Sequence, residues 1–382
     1  MKPVAPVSKL GPEAVISALH YRRPRLPEPR RRRTSTTRSP LFHKQRGRCR
    51  GRGLFPGRDV LVKKLPIILA LLGLALGTVL IGWFGAAGVV DAALSLGWRG
   101  FFWLLLAQFG LFGLLGLAWR TLLAEGSPLI YVWGRMVRDA AGNCLPFSQM
   151  GGFVLGARAV TLHGIAKRRA VASTVVDITT EFLAQMAFAA IGLVVLMLRA
   201  PDSALVWPLA IGLVLAIVGG AVFVILQQGT AVIFRKVGGV ISAGWLHNQS
   251  ARVDAFDSEL AQIYDRVPRL ALAAGLHFIG WIGAGLVTWL ALYLLGAGID
   301  IPAALAIEAI LQVGLNFAFL VPGYLGVQEA ALAGIGALFG LAPDLALGLS
   351  LIRRARDLAI GIPVLLLWQA FEARRLARSE AT

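Results

Sequence analysis

The chain has 382 residues, of which 57% are hydrophobic and only 15% charged, and its mean hydropathy is +0.71. That balance excludes an ordinary soluble domain, and several uncharged runs reach the roughly 20 residues needed to span hydrocarbon, while the alternation of a transmembrane β-barrel is absent. The net charge of +18 belongs to one end: residues 1–64 hold 18 Lys/Arg and 3 Asp/Glu and carry +15, so the remainder carries only +3.

Residues 1–64 are rich in arginine and proline, including the run Arg30–Arg33. With few apolar residues to bury, this segment is expected to be disordered. It reads as a solvated cytoplasmic tail that orients the first helix, or as the product of a mis-called translation start. Its prolines spoil the amphipathic helix of a transit peptide, and no aromatic interleaving points to nucleic acid.

Leu65–Val90 is the first expected span, with Gly73 and Gly77 in a small-xxx-small pair. Phe101–Trp119 is the second, closed by Arg120, and Trp98, Trp103 and Trp119 sit where interfacial aromatics are expected. Leu129–Leu145 is less apolar. Its Arg135 and Asp139 stand at i,i+4 and can pair, either inside the protein or on an interfacial helix with snorkelling arginines. A broken stretch follows over Pro146–Val160, with Pro146, Gly151, Gly152 and Gly156 supplying the breaks and Arg158 a charge.

Val171–Leu198 spans next, with Asp177 and Glu181 one turn apart on a face that should look inward. They serve there as functional acids or neutralise the preceding arginines. Val206–Leu226 spans again, and Gly244–Arg266 reads as a polar piece lying on the membrane. Ala271–Leu295 carries a solitary His277, read as packed or hydrogen-bonded. Ala303–Leu320 and Leu325–Gly340 flank a second break at Pro322, Gly323 and Gly326, between Asn316 and Glu329. Backbone broken at membrane depth is tolerated only where protein or a wet cavity surrounds it. Leu345–Phe371 closes the chain, with Arg353, Arg354, Arg356 and Asp357 inside its apolar length. The resulting division is a basic tail (1–64), a transmembrane domain (65–372) and a short cytoplasmic C-terminus (373–382).

Basic flanks at Arg120, Lys167–Arg169, Arg235–Lys236 and Arg374–Arg375 belong inside the cell by the charge bias of loops. The first broken pair then enters and leaves from inside, and the second, flanked by Asp300 and Asp344, from outside. The expected fold is an all-α polytopic membrane protein with two broken, re-entrant helix pairs forming an inverted repeat around a midplane site.

Burying one charge at a helix centre costs about 2.5–3.5 kcal/mol, so the intramembrane charges are expected to line a polar interior. The candidate translocation residues are Arg135, Arg138, Asp139, Asn143, Pro146, Gly151, Gly152, Arg158, Asp177, Glu181, Asn316, Pro322, Gly323, Gly326, Glu329, Arg353, Arg354 and Asp357. Arginine forks match phosphate oxygens, which would suit a lipid head group, or the charges pair among themselves. No hydrolase, zincin or phosphate-loop motif occurs. No enzyme activity, cofactor or metal is expected, and Cys49 and Cys144 are read as free thiols.

Residues 321–331, Val-Pro-Gly-Tyr-Leu-Gly-Val-Gln-Glu-Ala-Ala, resemble the Pro-Gly-Gly-x-Gly-x-x-Glu signature of the lysylphosphatidylglycerol-synthase transmembrane, flippase-like family, with Tyr324 in place of the second glycine. Arg138–Arg158 and Val175–Glu181 are similar to the branch of hopanoid-biosynthesis-associated membrane proteins. The resemblance covers about residues 65–372. It implies a bacterial inner-membrane protein that moves or handles lipids, for the hopanoid branch a hopanoid or its polar-headed derivative; the residues themselves admit a phospholipid head group, and the charge bias places both termini in the cytoplasm. In relatives fused to an aminoacyl-lipid synthase, this module is held to flip the lipid product. A secondary transporter of a small anion and a non-transporting scaffold for hopanoid enzymes are the alternatives.

Overall fold

A computed structural model describes residues 91, 94–144, 148–228, 255–318 and 321–380. The basic tail, the first expected span with Gly73 and Gly77, Cys49 and Pro146 lie outside the described residues. Those described are all helical, with turns between. In chain order the helices are α1 (Gly97–Leu123), α2 (Pro128–Cys144), α3 (Ser148–Leu162), α4 (Lys167–Arg199) and α5 (Val206–Gln228). There follow α6 (255–264), α7 (Val267–Leu294), α8 (Ile301–Phe317), a 3₁₀ turn at Pro322–Tyr324, α9 (Val327–Leu338) and α10 (Pro343–Glu380).

Four described helices, α1, α4, α5 and α7, are long and apolar enough to cross a bilayer. Helices suit that medium because each backbone donor finds its acceptor within the segment. α10 is 38 residues long, but the charges at 353–357 interrupt its apolar character. It also carries Pro363 in its interior, which leaves the Ala359 carbonyl without its usual N–H donor. The large apolar side chains of α5, among them Trp207, Val214 and Phe223, face outward, as hydrocarbon-facing groups do.

The shorter helices form two hairpins. α2 lies against α3, and α8 against α9. At 1.5 Å per residue the 17-residue α2 and α8 are each about 26 Å long, under the ~30 Å of a bilayer core. α1, α4, α7 and α10 surround them. Three apolar clusters hold the assembly: one around Leu292, Ile307, Leu311 and Leu332, one around Trp119, Tyr131 and Val176, and one around Val137, Ala141 and Val364.

Two expectations are corrected. Trp98 and Trp103 are exposed, but Trp119 is fully buried. Its indole N–H donates to Ser173 Oγ at 3.1 Å, and its ring meets Tyr131 edge-on. A position at the end of an apolar run reads as interfacial, yet here the neighbouring hairpin covers it. Second, Gly151, Gly152 and Gly156 do not break the chain, because all three lie inside regular α3. Two of them instead admit the α2 backbone. A Cβ at Gly152 would collide with the Arg138 carbonyl oxygen, and one at Gly156 would lie 2.8 Å from Arg138 Cβ. Gly152→Val should therefore push the hairpin open and cost about 1–3 kcal/mol of stability, as read by denaturant unfolding in detergent.

α4 fixes the base of each hairpin at a different end. Near its start, Arg169 bridges Glu125, just before α2, at 2.5 Å, and Glu259 of α6 at 3.6 Å. At its end, Arg199 bridges Asp300, just before α8, at 2.5 Å. Thirty residues separate 169 from 199, about 45 Å along the helix. Asp300 also caps α8 by accepting from the Ala303 N–H at 3.1 Å.

The hydrogen bond from Arg199, followed by that cap, holds the Asp300 carboxyl below the usual carboxylate range. A lowered native value stabilises above the unfolded value and is lost as pH falls through the native one. The stability difference between wild type and Asp300→Asn should thus be present at pH 7. It should shrink once pH drops below about 4, as followed by thermal unfolding across that range.

Candidate functional site

The hairpins meet at their tips. A Cβ built on Gly323 would lie 3.2 Å from the Asn143 carbonyl oxygen at the end of α2. The second tip needs left-handed backbone, with φ of 57° at Gly323 and 74° at Gly326, the N-cap of α9. Tyr324 between them also has positive φ, 54°, which costs an L-residue roughly 1–2 kcal/mol.

Around these tips lies a cavity of about 780 Å³. α2 sends in Arg135, Arg138, Asp139 and Asn143; α4 sends Glu181 and Gln185; α8 sends Glu308, Gln312 and Asn316; α10 sends Arg353, Arg354, Arg356 and Asp357. Gly323, Tyr324 and Gln328 complete the second tip, and Gln108, Phe153, Phe182 and Trp281 line the remaining wall.

Each arginine fork already holds a carboxylate. Arg135 donates two bonds to Glu181, at 2.9 and 2.7 Å, and a third to Asp139 at 3.1 Å. Arg138 donates to Glu181 at 2.6 Å and to Asp177 at 2.9 Å, and its guanidinium lies 4.4 Å from the centre of the Phe153 ring. Asp177 is fully buried behind the wall and also bonds His277 Nε2 at 2.9 Å. The spacing of Arg135 with Asp139, and of Asp177 with Glu181, thus produces one continuous network. On the other side Arg353 grips Glu308 through both terminal nitrogens, at 2.5 and 3.1 Å. Thr288 and Gln312 donate to the same carboxylate, each at 2.6 Å. Arg354 ties the second tip down, donating to the Gly323 carbonyl at 3.0 Å and to Glu329 at 2.7 Å. Ser350 donates to Glu329 at 3.1 Å, and Arg356 pairs with Asp357 at 2.8 Å.

Of the residues expected from sequence, Arg135, Arg138, Asp139, Asn143, Glu181, Asn316, Gly323, Arg353, Arg354 and Asp357 line the cavity. Asp177 and Glu329 stand one layer behind, bonded to lining arginines. Gly151 and Gly152 lie on α3, and Pro322 and Gly326 shape the second tip. Arg158 lies elsewhere: it is exposed and pairs with Glu372 at 2.5 Å. Its place near the end of α3, not within the hairpin core, lets it reach the periphery. Glu308 and the carboxamides Gln108, Gln185, Gln312 and Gln328 were missed. Glu308 carried a signal, a lone carboxylate inside an apolar run with Arg353 as a prospective partner. The amides carried none, because neither charge nor period marks them.

Fold and chamber together define a multi-pass helical membrane protein that encloses a polar, ion-paired cavity between two hairpins. The chain belongs to the family described as the lysylphosphatidylglycerol synthase transmembrane region, whose model matches residues 70–364, and so to a lipid-related class of membrane proteins. No curated protein and no solved structure matches it.

Proposed function

We propose that this chain carries lipids across a bacterial inner membrane, taking the polar head group into the cavity while the tails stay in hydrocarbon, and that its substrate is a hopanoid or a derivative of one. The observation that carries the reading is the cavity of about 780 Å³, a size suited to a small ligand, lined by ionic and amide groups inside an apolar bundle. We read the chain as a carrier and not as an enzyme. The hairpins are re-entrant and enter from opposite faces as an inverted repeat, with both termini cytoplasmic. Support comes from their bases, bonded to opposite ends of α4, and from their tips, which meet at Asn143 and Gly323. This is the arrangement in which half-helix ends frame a midplane site.

The test is transbilayer exchange of a labelled hopanoid in proteoliposomes. Wild type should exchange it well above empty vesicles. Glu329→Ala, which frees Arg354 and loosens the tip, should slow exchange by about tenfold or more, the equivalent of a charged hydrogen bond. Equal rates in all three preparations refute the reading.

A further inference from the structure

The ionic balance of the cavity speaks to the head group. Among the described residues, five arginines line it, with four carboxylates beside them; Asp177 and Glu329 add two more directly behind. Acids therefore outnumber arginines by one, and every lining arginine donates to at least one acid. Bidentate capture of a phosphate needs an open fork, and here an incoming phosphate would have to displace a carboxylate from a buried pair. From sequence, phosphate capture and pairing among the charges were both open; the pairing observed argues against phosphate.

What the cavity leaves open is uncharged hydrogen-bonding capacity. Gln108 and Asn143 line it with side-chain amides that make no hydrogen bond to another described residue. Gln185 and Asn316 bond each other at 3.0 Å, and each amide retains further donor or acceptor sites. Carboxylates add acceptors, since Asp139 and Asp357 are each a quarter exposed. Aromatic surface completes the set. Tyr324 is held at a positive φ where glycine would be unstrained, and strain kept at a cavity wall marks a side chain with a task there. Amides that both donate and accept, acids that accept, and a flat ring for C–H contact together match clustered hydroxyls on a carbon framework.

We propose that the cavity binds an uncharged, polyhydroxylated lipid head group, a sugar or similar polyol, in preference to an anionic one and, because each lining carboxylate is likewise held by an arginine, to a cationic one. The proposal rests on the lipid-carrier reading, so binding and movement are measured separately. Native mass spectrometry of the purified full chain gives relative affinities for glucosyl-diacylglycerol, phosphatidylglycerol and a trimethylammonium diacyl lipid with matched acyl chains. Exchange of labelled forms of the same lipids in proteoliposomes gives movement. The glucosyl lipid should bind at least about tenfold more tightly than either charged lipid, as expected where a polar site rejects a mismatched group.

Phosphatidylglycerol or the cationic lipid binding as tightly overturns the proposal. No exchange of these lipids, with a labelled hopanoid also unmoved above empty vesicles, overturns the carrier reading instead, and the affinity order still decides the head-group class. Asn143→Ala should lower affinity for the glucosyl lipid by about tenfold and leave that for phosphatidylglycerol unchanged; equal loss for both overturns the proposal. Tyr324→Gly suits the left-handed backbone, so a selective fall in glucosyl-lipid affinity there reads the ring, and no change in that affinity overturns the ring's assigned part.

Discussion

Glu181→Ala should destabilise the protein by about 3–5 kcal/mol, the cost of removing one partner from a buried ion pair. The carboxylate accepts three charged hydrogen bonds, two from Arg135 and one from Arg138. Once it is gone, Arg135 retains only Asp139, and Arg138 only Asp177 and a distant contact with Asp139. The α2 backbone that carries them is held by α3, which packs directly on Arg138. The measurement is unfolding in mixed micelles of wild type, Glu181→Ala, Arg135→Met and the double variant. The two single changes should be far from additive, because the double variant no longer buries Arg135 without its main acid. Additive losses would show that the pair does not act as a unit.

Arg353→Met is the second large effect expected, again about 3–5 kcal/mol. Glu308 is fully buried, and without Arg353 its charge is left with the hydroxyl of Thr288 and the amide of Gln312. Neither neutralises it. Adding Glu308→Gln to Arg353→Met should restore most of the stability, since a neutral amide no longer demands a cation. Lipid exchange should not return with the stability, because methionine at 353 puts an apolar side chain into the polar wall that takes the head group. Stability and exchange recovering together would mean that this pair only holds α8 to α10.

Much of this architecture can be read from the residues. Proline and glycine inside apolar runs mark the second break, and acids one turn apart on α4 announce a polar interface. Among the described residues the expected spans agree closely with the observed helices; the second span expected over Phe101–Trp119, for instance, is Gly97–Leu123. Partners are harder to read. Arg353 and Glu308 are 45 positions apart in sequence, and nothing local connects them. The α3 glycines show the same difficulty in another form. Composition cannot separate a glycine that bends a chain from one that lets another backbone approach. Composition also gives arginines their charge but not their occupancy, so sequence leaves open whether the forks hold phosphate or the protein's own acids.

α4 carries a further consequence. Its two anchoring arginines stand about 45 Å apart along the axis, well beyond the ~30 Å of hydrocarbon, so the helix leans or projects to an extent set by membrane thickness. Because each hairpin root is bonded to one of those arginines, tilting of α4 is expected to be felt at both roots. Lipid exchange measured in vesicles of graded acyl-chain length should therefore vary with bilayer thickness, and equal rates in all of them would show that the lean of α4 does not reach the hairpins.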